Sequence, residues 1–457
     1  MKIVDINDKL FKEYDLRGII GDDLTPDVAY TFGLGFGSYV QNKGYDKVLV
    51  GHDNRLSSNY LEKNLIQGLL ETGVDVIKLG LVTTPMLNCA RKILNLDASI
   101  MITASHNPKE YNGFKISFDN IGCAYGSKIR EVRDFIKLGN FRSGQGKLYK
   151  YDIKDEYLNA IKNSISINKK LKVVIDCGNG TASIIVRDIM NLFDIEVEYL
   201  YCDSDGTFPN HHPDPNVEEY MSDLKRKVKT MDYDLGIGID GDGDRVVVID
   251  NNGNYVTTDY YLILMSKYLK PDKLLFDVKT SRILKEEIAT CGIQPVIYKT
   301  GASLMNAKMQ EDNFMFGGEY SGHIYYRDKW FGFDDGIYSG LRFMEMLANT
   351  NKSVSDLLNP LKKYPSHYFN YPLEDEKKES IIDGIKKYAE EKGYSIVDID
   401  GVRCEFDDGF ALVRASNTTP CLTLRFEADS ESRLKEIQDE FVNKLDELKK
   451  GFVKKNV

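Results

Sequence analysis

Three carboxylates at alternate positions, Asp240-Gly-Asp242-Gly-Asp244, lead directly into Arg245 and are flanked by the strand-like runs Leu235-Gly-Ile-Gly-Ile and Val246-Val-Val-Ile. The intervening glycines let the backbone curl, so the three side chains can converge on one hard divalent cation. The loop is not an EF-hand, because Arg245 and Asn251 stand where that loop needs a glycine and a glutamate. An acidic hairpin turn would carry the same letters, at the cost of holding like charges together without a cation. A second loop, Thr103-Ala-Ser105-His106-Asn107-Pro108, follows the apolar run Ala98-Ser-Ile-Met-Ile. Its serine beside a histidine is a candidate nucleophile. A plain turn competes with that reading, since adjacent side chains seldom face each other and no GxSxG elbow surrounds the serine. Lys115, in Asn112-Gly-Phe-Lys115, adds a cation within reach of the same loop.

Two further loops carry dense hydrogen-bonding groups. Gly318-Glu319-Tyr-Ser321-Gly322-His323 suits recognition of several hydroxyls, or forms a polar surface turn. Arg414-Ala-Ser416-Asn417-Thr418-Thr419-Pro420 offers a guanidinium, hydroxyls, an amide and backbone N–H groups, the inventory of a phosphate pocket or of a solvated loop. Nucleotide readings fare worse. Gly178-Asn-Gly180-Thr-Ala-Ser183 follows a strand but replaces the third glycine of a dinucleotide fingerprint by serine, and no GxxxxGK[ST] exists. Gly33-Leu-Gly35-Phe-Gly37 lies in a helix-like stretch and marks close packing.

Three segments that could position these loops share one grammar: Lys47-Val-Leu-Val-Gly, Lys172-Val-Val-Ile-Asp and Lys273-Leu-Leu-Phe-Asp. Each is apolar on both faces, as a buried parallel strand is, and each precedes hydroxyl residues able to cap a helix: Ser57 and Ser58, Thr181 and Ser183, Thr280 and Ser281. Their domain-sized spacing predicts three related α/β sandwich domains, at 1–152, 153–255 and 256–367, with ligand groups in loops beyond the strands' carboxyl ends. After Pro360, Pro365 and Pro372 the alternation stops. Two amphipathic helical faces, Ile381, Ile382, Ile385, Tyr388 and Ala389, then Leu434, Ile437, Phe441, Leu445 and Leu448, enclose strand-like runs. A smaller α+β domain over 368–457 is expected.

The 457 residues carry a formal charge of −10, which does not suit a general nucleic-acid or acidic-membrane binder. Any anionic ligand must be met by local cations. Seven dispersed cysteines without a CxxC pair read as reduced thiols, and no window is apolar enough to span a membrane. A cytoplasmic location is the default, and the sequence, silent on oligomeric state, is compatible with a monomer.

In this order, TASHNP, DGDGDR, GEYSGH and RASNTTP resemble the α-D-phosphohexomutase superfamily, in particular bacterial phosphomannomutase/phosphoglucomutase, along the chain from Glu13-Tyr14-Asp15-Leu-Arg17-Gly to Leu424-Arg425-Phe. The resemblance implies four domains around a central cleft. It implies an intramolecular phosphotransferase that interconverts mannose or glucose 1- and 6-phosphates through a phosphorylated Ser105 and a bound 1,6-bisphosphate that turns end for end. One Mg²⁺ per chain, held by Ser105, Asp240, Asp242 and Asp244, and a hexose 1,6-bisphosphate primer are implied with it. Arg245 would neutralise the moving phosphoryl. Arg17, Lys115 and His323 are candidates for acid–base work or its electrostatic support, and His106 for orienting the serine loop. Arg414, Ser416, Asn417 and Thr418 would grip the phosphate that is not transferring. Glu319 and Ser321 would meet the sugar hydroxyls, with Tyr14 and Lys279 lining the same cleft. The sequence departs from its best-matched relatives at Ala302, where they carry a substrate-contacting histidine, which bears on affinity and sugar preference. A phosphohexosamine mutase or a non-catalytic sugar-phosphate binder are the alternatives.

Overall fold

The computed structural model describes residues 1–119, 122–416 and 419–455. The strands of the three repeated segments, Lys47–His52, Leu171–Asp176 and Lys273–Asp277, lie inside three separate sheets, each paired in parallel on both sides. Burial of both faces explains their unbroken apolar runs. Around each, the same four-strand pattern recurs: first strand, a parallel second on one side, a parallel third on the other, and an antiparallel fourth outside the third. In the first sheet the third and fourth strands are Ala98–Ile102 and Tyr111–Phe118. In the second they are Leu235–Ile239 and Val246–Asp250, and in the third Phe316–Gly318 and Ile324–Tyr326. The turn between third and fourth strands is the serine loop, the three-aspartate loop and the Glu319 loop in turn. Three motifs of unlike letters therefore occupy one topological position.

The helix caps follow expectation at one of the three places. Ser281 Oγ accepts from Ile283 N at the start of Arg282–Thr290. Ser57 makes no side-chain cap, Ser58 Oγ donating instead to Asp53, and Thr181 Oγ1 accepts from Asn54 N across a domain boundary. At Ser57 a contact within the first unit, Asn112 Nδ2 donating to Ser57 Oγ (2.8 Å), replaces the cap, and at Thr181 an interdomain contact does. The Gly33–Gly37 stretch lies in the helix Pro26–Asn42, and a Cβ on Gly33 would meet Leu65 O at 2.3 Å, so that helix packs backbone to backbone on Ser58–Glu71.

The second and third units share one continuous hydrophobic core, which also takes in Leu49, Val82, Met86 and Met101 of the first. Their relative positions are thus fixed by burial. The C-terminal unit is a five-stranded antiparallel sheet with the helices Asp375–Glu391 and Glu431–Lys455 packed on it; Ile381, Ile385, Ala389, Leu434, Ile437, Phe441 and Leu445 enter its core as the periodicity predicted. It docks on the third unit through buried arginines. Arg403 Nη1 donates to Val278 O (2.8 Å) and Thr280 O (2.7 Å), and Arg425 Nη1 to Lys279 O, with Nη2 3.2 Å from Asp259 Oδ2. Arg403→Ala should lower unfolding stability by about 3 kcal/mol, because it strands two carbonyls and breaks the pair with Glu405. Urea denaturation measures this; a loss under about 0.5 kcal/mol would show that the contact is not structural.

Candidate active site

The serine loop is held by its backbone, leaving the Ser105 hydroxyl to the cleft. Ser105 sits at φ 51°, an uncommon conformation for a residue with a Cβ. That turn brings His106 Nδ1 within 3.2 Å of Ser105 Oγ, although the two are adjacent. Arg55, fully buried, donates to four carbonyls of the loop: Ser105 O (2.7 Å), Asn107 O (2.6 Å), Pro108 O (2.7 Å) and Tyr111 O (3.1 Å). Arg17 Nη1 donates to Asn107 Oδ1 (2.6 Å) while its Nη2 pairs with Asp15. Burial, with the cations Arg245 and Arg17 nearby, pushes the His106 pKa well below the usual imidazole range, so the ring is neutral.

The three-aspartate motif is a hairpin, Ile239 pairing with Val246, and its carboxylates point inward and are buried. Asp240 Oδ2 accepts from Ser105 Oγ at 2.9 Å. Gly241 permits this approach: a Cβ there would lie 2.4 Å from Ser105 O. Thr84 Oγ1 donates to Asp242 Oδ2 (2.6 Å), and Lys115 Nζ bridges Asp242 Oδ2 (2.8 Å) and Asp244 Oδ2 (2.6 Å). Burial pushes all three carboxyls up. Lys115 overrides it at Asp242 and Asp244, whose pKa values fall below the usual carboxylate range, whereas Asp240, facing both of them, lies well above it. Burial works against charge on Lys115, but the two aspartates outweigh it and hold the lysine charged.

These residues fit a divalent cation. One oxygen from each of Asp240, Asp242 and Asp244 lies within 4.8 Å of the others, and the buried Asp242 Oδ1 and Asp244 Oδ1 have no hydrogen-bond partner. Buried, unpartnered carboxylate oxygens are costly unless a cation meets them.

Opposite lies the Glu319 loop. His323 contacts Arg245 Nε through Nε2 (2.9 Å) and Asp334 Oδ2 through Nδ1 (2.6 Å). Burial lowers the His323 pKa and the Asp244 carboxylate raises it, the net shift being upward. Glu319 Oε1 accepts from Gly301 N (2.6 Å) and Oε2 from Tyr325 OH (3.1 Å); burial raises its pKa. From the C-terminal unit, Arg414 reaches the same space with Nε 3.1 Å from Asp400 Oδ2, and Asp400 also accepts from Thr300 N (2.9 Å). Lys279 enters from the third unit beside Asp277.

The serine, three-aspartate and Glu319 loops and Arg414 open on one cavity of about 530 Å³ between the four units. Of the residues singled out in the sequence, Tyr14, Arg17, Ser105, His106 and Lys115 line it from the first unit, and Asp244 and Arg245 from the second. Lys279, Glu319, Ser321 and His323 line it from the third, and Arg414 and Ser416 from the fourth. Asp240 and Asp242 lie behind its wall. Ala302 also lines the cavity, at the start of the helix Ala302–Glu311. Asn417 and Thr418 fall outside the described residues. Sequence reasoning missed Arg55, Thr84 and Asp334. Only Arg55 had a usable signal, a charged residue just past the carboxyl end of a predicted strand.

Comparison with known proteins agrees along the whole chain. Family models described as phosphoglucomutase/phosphomannomutase alpha/beta/alpha domains I, II and III match residues 8–142, 155–253 and 257–364, and the C-terminal domain of that family matches 369–444. The sequence is 41% identical over 444 residues to a phosphomannomutase/phosphoglucomutase of Pseudomonas aeruginosa, covering 95% of each, and 38% identical over 440 residues to a phosphoglucomutase of Neisseria meningitidis, covering 94% of this chain and 95% of that one. A crystal structure of a phosphoglucomutase/phosphomannomutase family protein from Burkholderia thailandensis superposes with a TM-score of 0.90 at 38% identity, covering 97% of this chain and 98% of that chain.

Proposed function

The chain belongs to the phosphoglucomutase/phosphomannomutase family and is a phosphohexomutase, and from that premise we propose that Ser105 carries the phosphoryl group between the 1- and 6-positions of glucose or mannose phosphates. The observation that carries this reading is the 2.9 Å contact between Ser105 Oγ and Asp240 in a cleft that also receives Arg414 from the far unit. One end of a bisphosphate can then face Ser105 while the other meets Arg414 and Ser416. Rotation of the sugar exchanges the ends.

Asp240, Asp242, Asp244 and the serine oxygen would hold one Mg²⁺, which when bound draws charge from the phosphoryl and eases its departure from serine. Arg245 faces the same position and balances the charge of the group in transit. Of the three acid–base candidates, Lys115 is tied to two aspartates and Arg17 to Asp15 and Asn107, so both act electrostatically. His323, whose Nε2 accepts from Arg245 Nε until that guanidinium turns to the phosphoryl group, takes the hydroxyl proton. Glu319 and Ser321 read the sugar hydroxyls, and Glu319 is pre-set by its bonds from Gly301 and Tyr325. We further read the unit boundaries at 152, 255 and 367, and a hexose 1,6-bisphosphate as the primer that loads Ser105.

Incubation with glucose 1-phosphate or mannose 1-phosphate, each with its 1,6-bisphosphate, tests the reading: the 6-phosphate should appear, and intact mass should show one phosphoryl per chain on the peptide containing Ser105. Turnover of glucosamine 1-phosphate in preference to both would move the assignment to hexosamines. A phosphoryl on no serine would reject it.

A further inference from the structure

We infer that Asp334 is a positioning residue that fixes the single ring proton of His323 on Nδ1 and so reserves the Nε2 lone pair for Arg245 and the cleft. An arginine Nε carries only a hydrogen to give, so at 2.9 Å from Arg245 Nε the Nε2 of His323 must be the acceptor. An Nε2 that accepts carries no proton, so despite the upward pull of Asp244 the ring is the neutral imidazole, its one N–H on Nδ1, 2.6 Å from Asp334 Oδ2, and donating to that carboxylate. No other placement of the proton satisfies both contacts of the neutral ring.

The carboxylate is delivered by a segment clamped on three sides. Asp334 pairs through its backbone with Tyr325. Asp335 accepts from Tyr157 OH (2.7 Å) and from Tyr338 N (2.9 Å), capping the helix Gly336–Ala348. Gly336 N donates to Gly243 O (2.9 Å), tying the segment to the three-aspartate loop. His323 is itself bridged through its backbone to Arg245. The chain Asp334–His323–Arg245 is therefore set by the fold before any substrate arrives. Asp244 Oδ1, the other carboxylate oxygen facing Nδ1, stands at 3.7 Å, outside hydrogen-bonding distance, so without an acceptor at 334 the ring is free to carry its proton on Nε2, which would aim a donor at the Arg245 donor. The guanidinium must then turn away, and the lone pair no longer faces the cleft.

The test uses the full-length chain. Asp334→Leu keeps the volume and removes the acceptor, and Asp334→Asn keeps a neutral oxygen that can still accept. If Asp334 acts as inferred, kcat falls about 10²–10³-fold in the leucine variant while KM for the 1-phosphate changes less than about threefold, with the asparagine variant between leucine and wild type. Independently, ¹⁵N NMR of histidine-labelled protein, with the His323 signal identified by its loss in His323→Gln, should show Nδ1 protonated and Nε2 accepting in wild type, and the reverse in Asp334→Leu. A wild-type ring protonated on Nε2, or a folded leucine variant with kcat within about threefold of wild type, would overturn the inference. Should the leucine variant fail to fold, the wild-type tautomer and the asparagine kinetics decide. The kinetic arm rests on the proposed phosphoryl transfer, but the NMR arm does not: a wild-type chain inactive on every hexose phosphate would sink that reaction and leave the tautomer measurable.

Discussion

Ser105→Ala should lower hexose phosphate interconversion by about 10⁴-fold or more while leaving the protein folded and able to bind sugar phosphate. The asymmetry follows from how the loop is built. Its shape is set by Arg55 on four backbone carbonyls and by Thr103 Oγ1 accepting from Ser105 N at 2.8 Å, and none of these bonds uses the serine hydroxyl. What the substitution removes is the oxygen that accepts and returns the phosphoryl group, and no other hydroxyl in the described residues is shown at hydrogen-bonding distance from Asp240. Coupled assay, intact mass and isothermal titration with glucose 1-phosphate check the three parts. Activity within tenfold of wild type would show that the phosphoryl travels by another route.

Removal of divalent cations has the second largest expected effect, a fall of at least about 10³-fold in turnover, restored by Mg²⁺. Three buried carboxylates face two cations, Lys115 and Arg245, and two carboxylate oxygens, Asp242 Oδ1 and Asp244 Oδ1, are left without a hydrogen-bond donor. A bound ion should therefore stabilise the fold as well as serve the reaction, by about 2.7 kcal/mol at a hundred times its Kd. Asp240→Asn separates the two roles. It replaces the carboxyl that burial and the like charges of Asp244 and Asp242 hold well above the usual range, so in chelator its melting temperature should equal or exceed that of wild type. It should gain little from Mg²⁺ and turn over poorly. A wild-type melting curve and rate that ignore chelator and Mg²⁺ alike would mean that the cluster holds no ion.

How much of this was legible in the sequence depends on the range of the interaction. Lys47-Val-Leu-Val-Gly and its two counterparts announced buried parallel strands because burial on both faces leaves an unbroken apolar run. Asp240, Asp242 and Asp244 announced a cation site because their convergence is local. Arg55 did not show itself as a scaffold residue, since its partners are carbonyls at 105–111 and carbonyls leave no mark in the letters. Asp334 sits in an ordinary acidic turn until the sheet brings it against His323. Ser57 and Thr181 looked like caps, but Ser57 Oγ accepts from Asn112, far along the same unit, and Thr181 Oγ1 from Asn54 of another unit.

The recurrence of one strand pattern in three sheets has a consequence for reading other chains of this build. Each copy keeps one working loop in the connection leaving its third strand, so counting strands finds the place even where the letters have drifted beyond matching. Divergence can rewrite any one of the three connections, from phosphoryl carrier to ion cradle to hydroxyl reader, without redesigning the scaffold beneath it. A descendant that changes its sugar should show the change first in the last copy, leaving the chemistry of the first two intact.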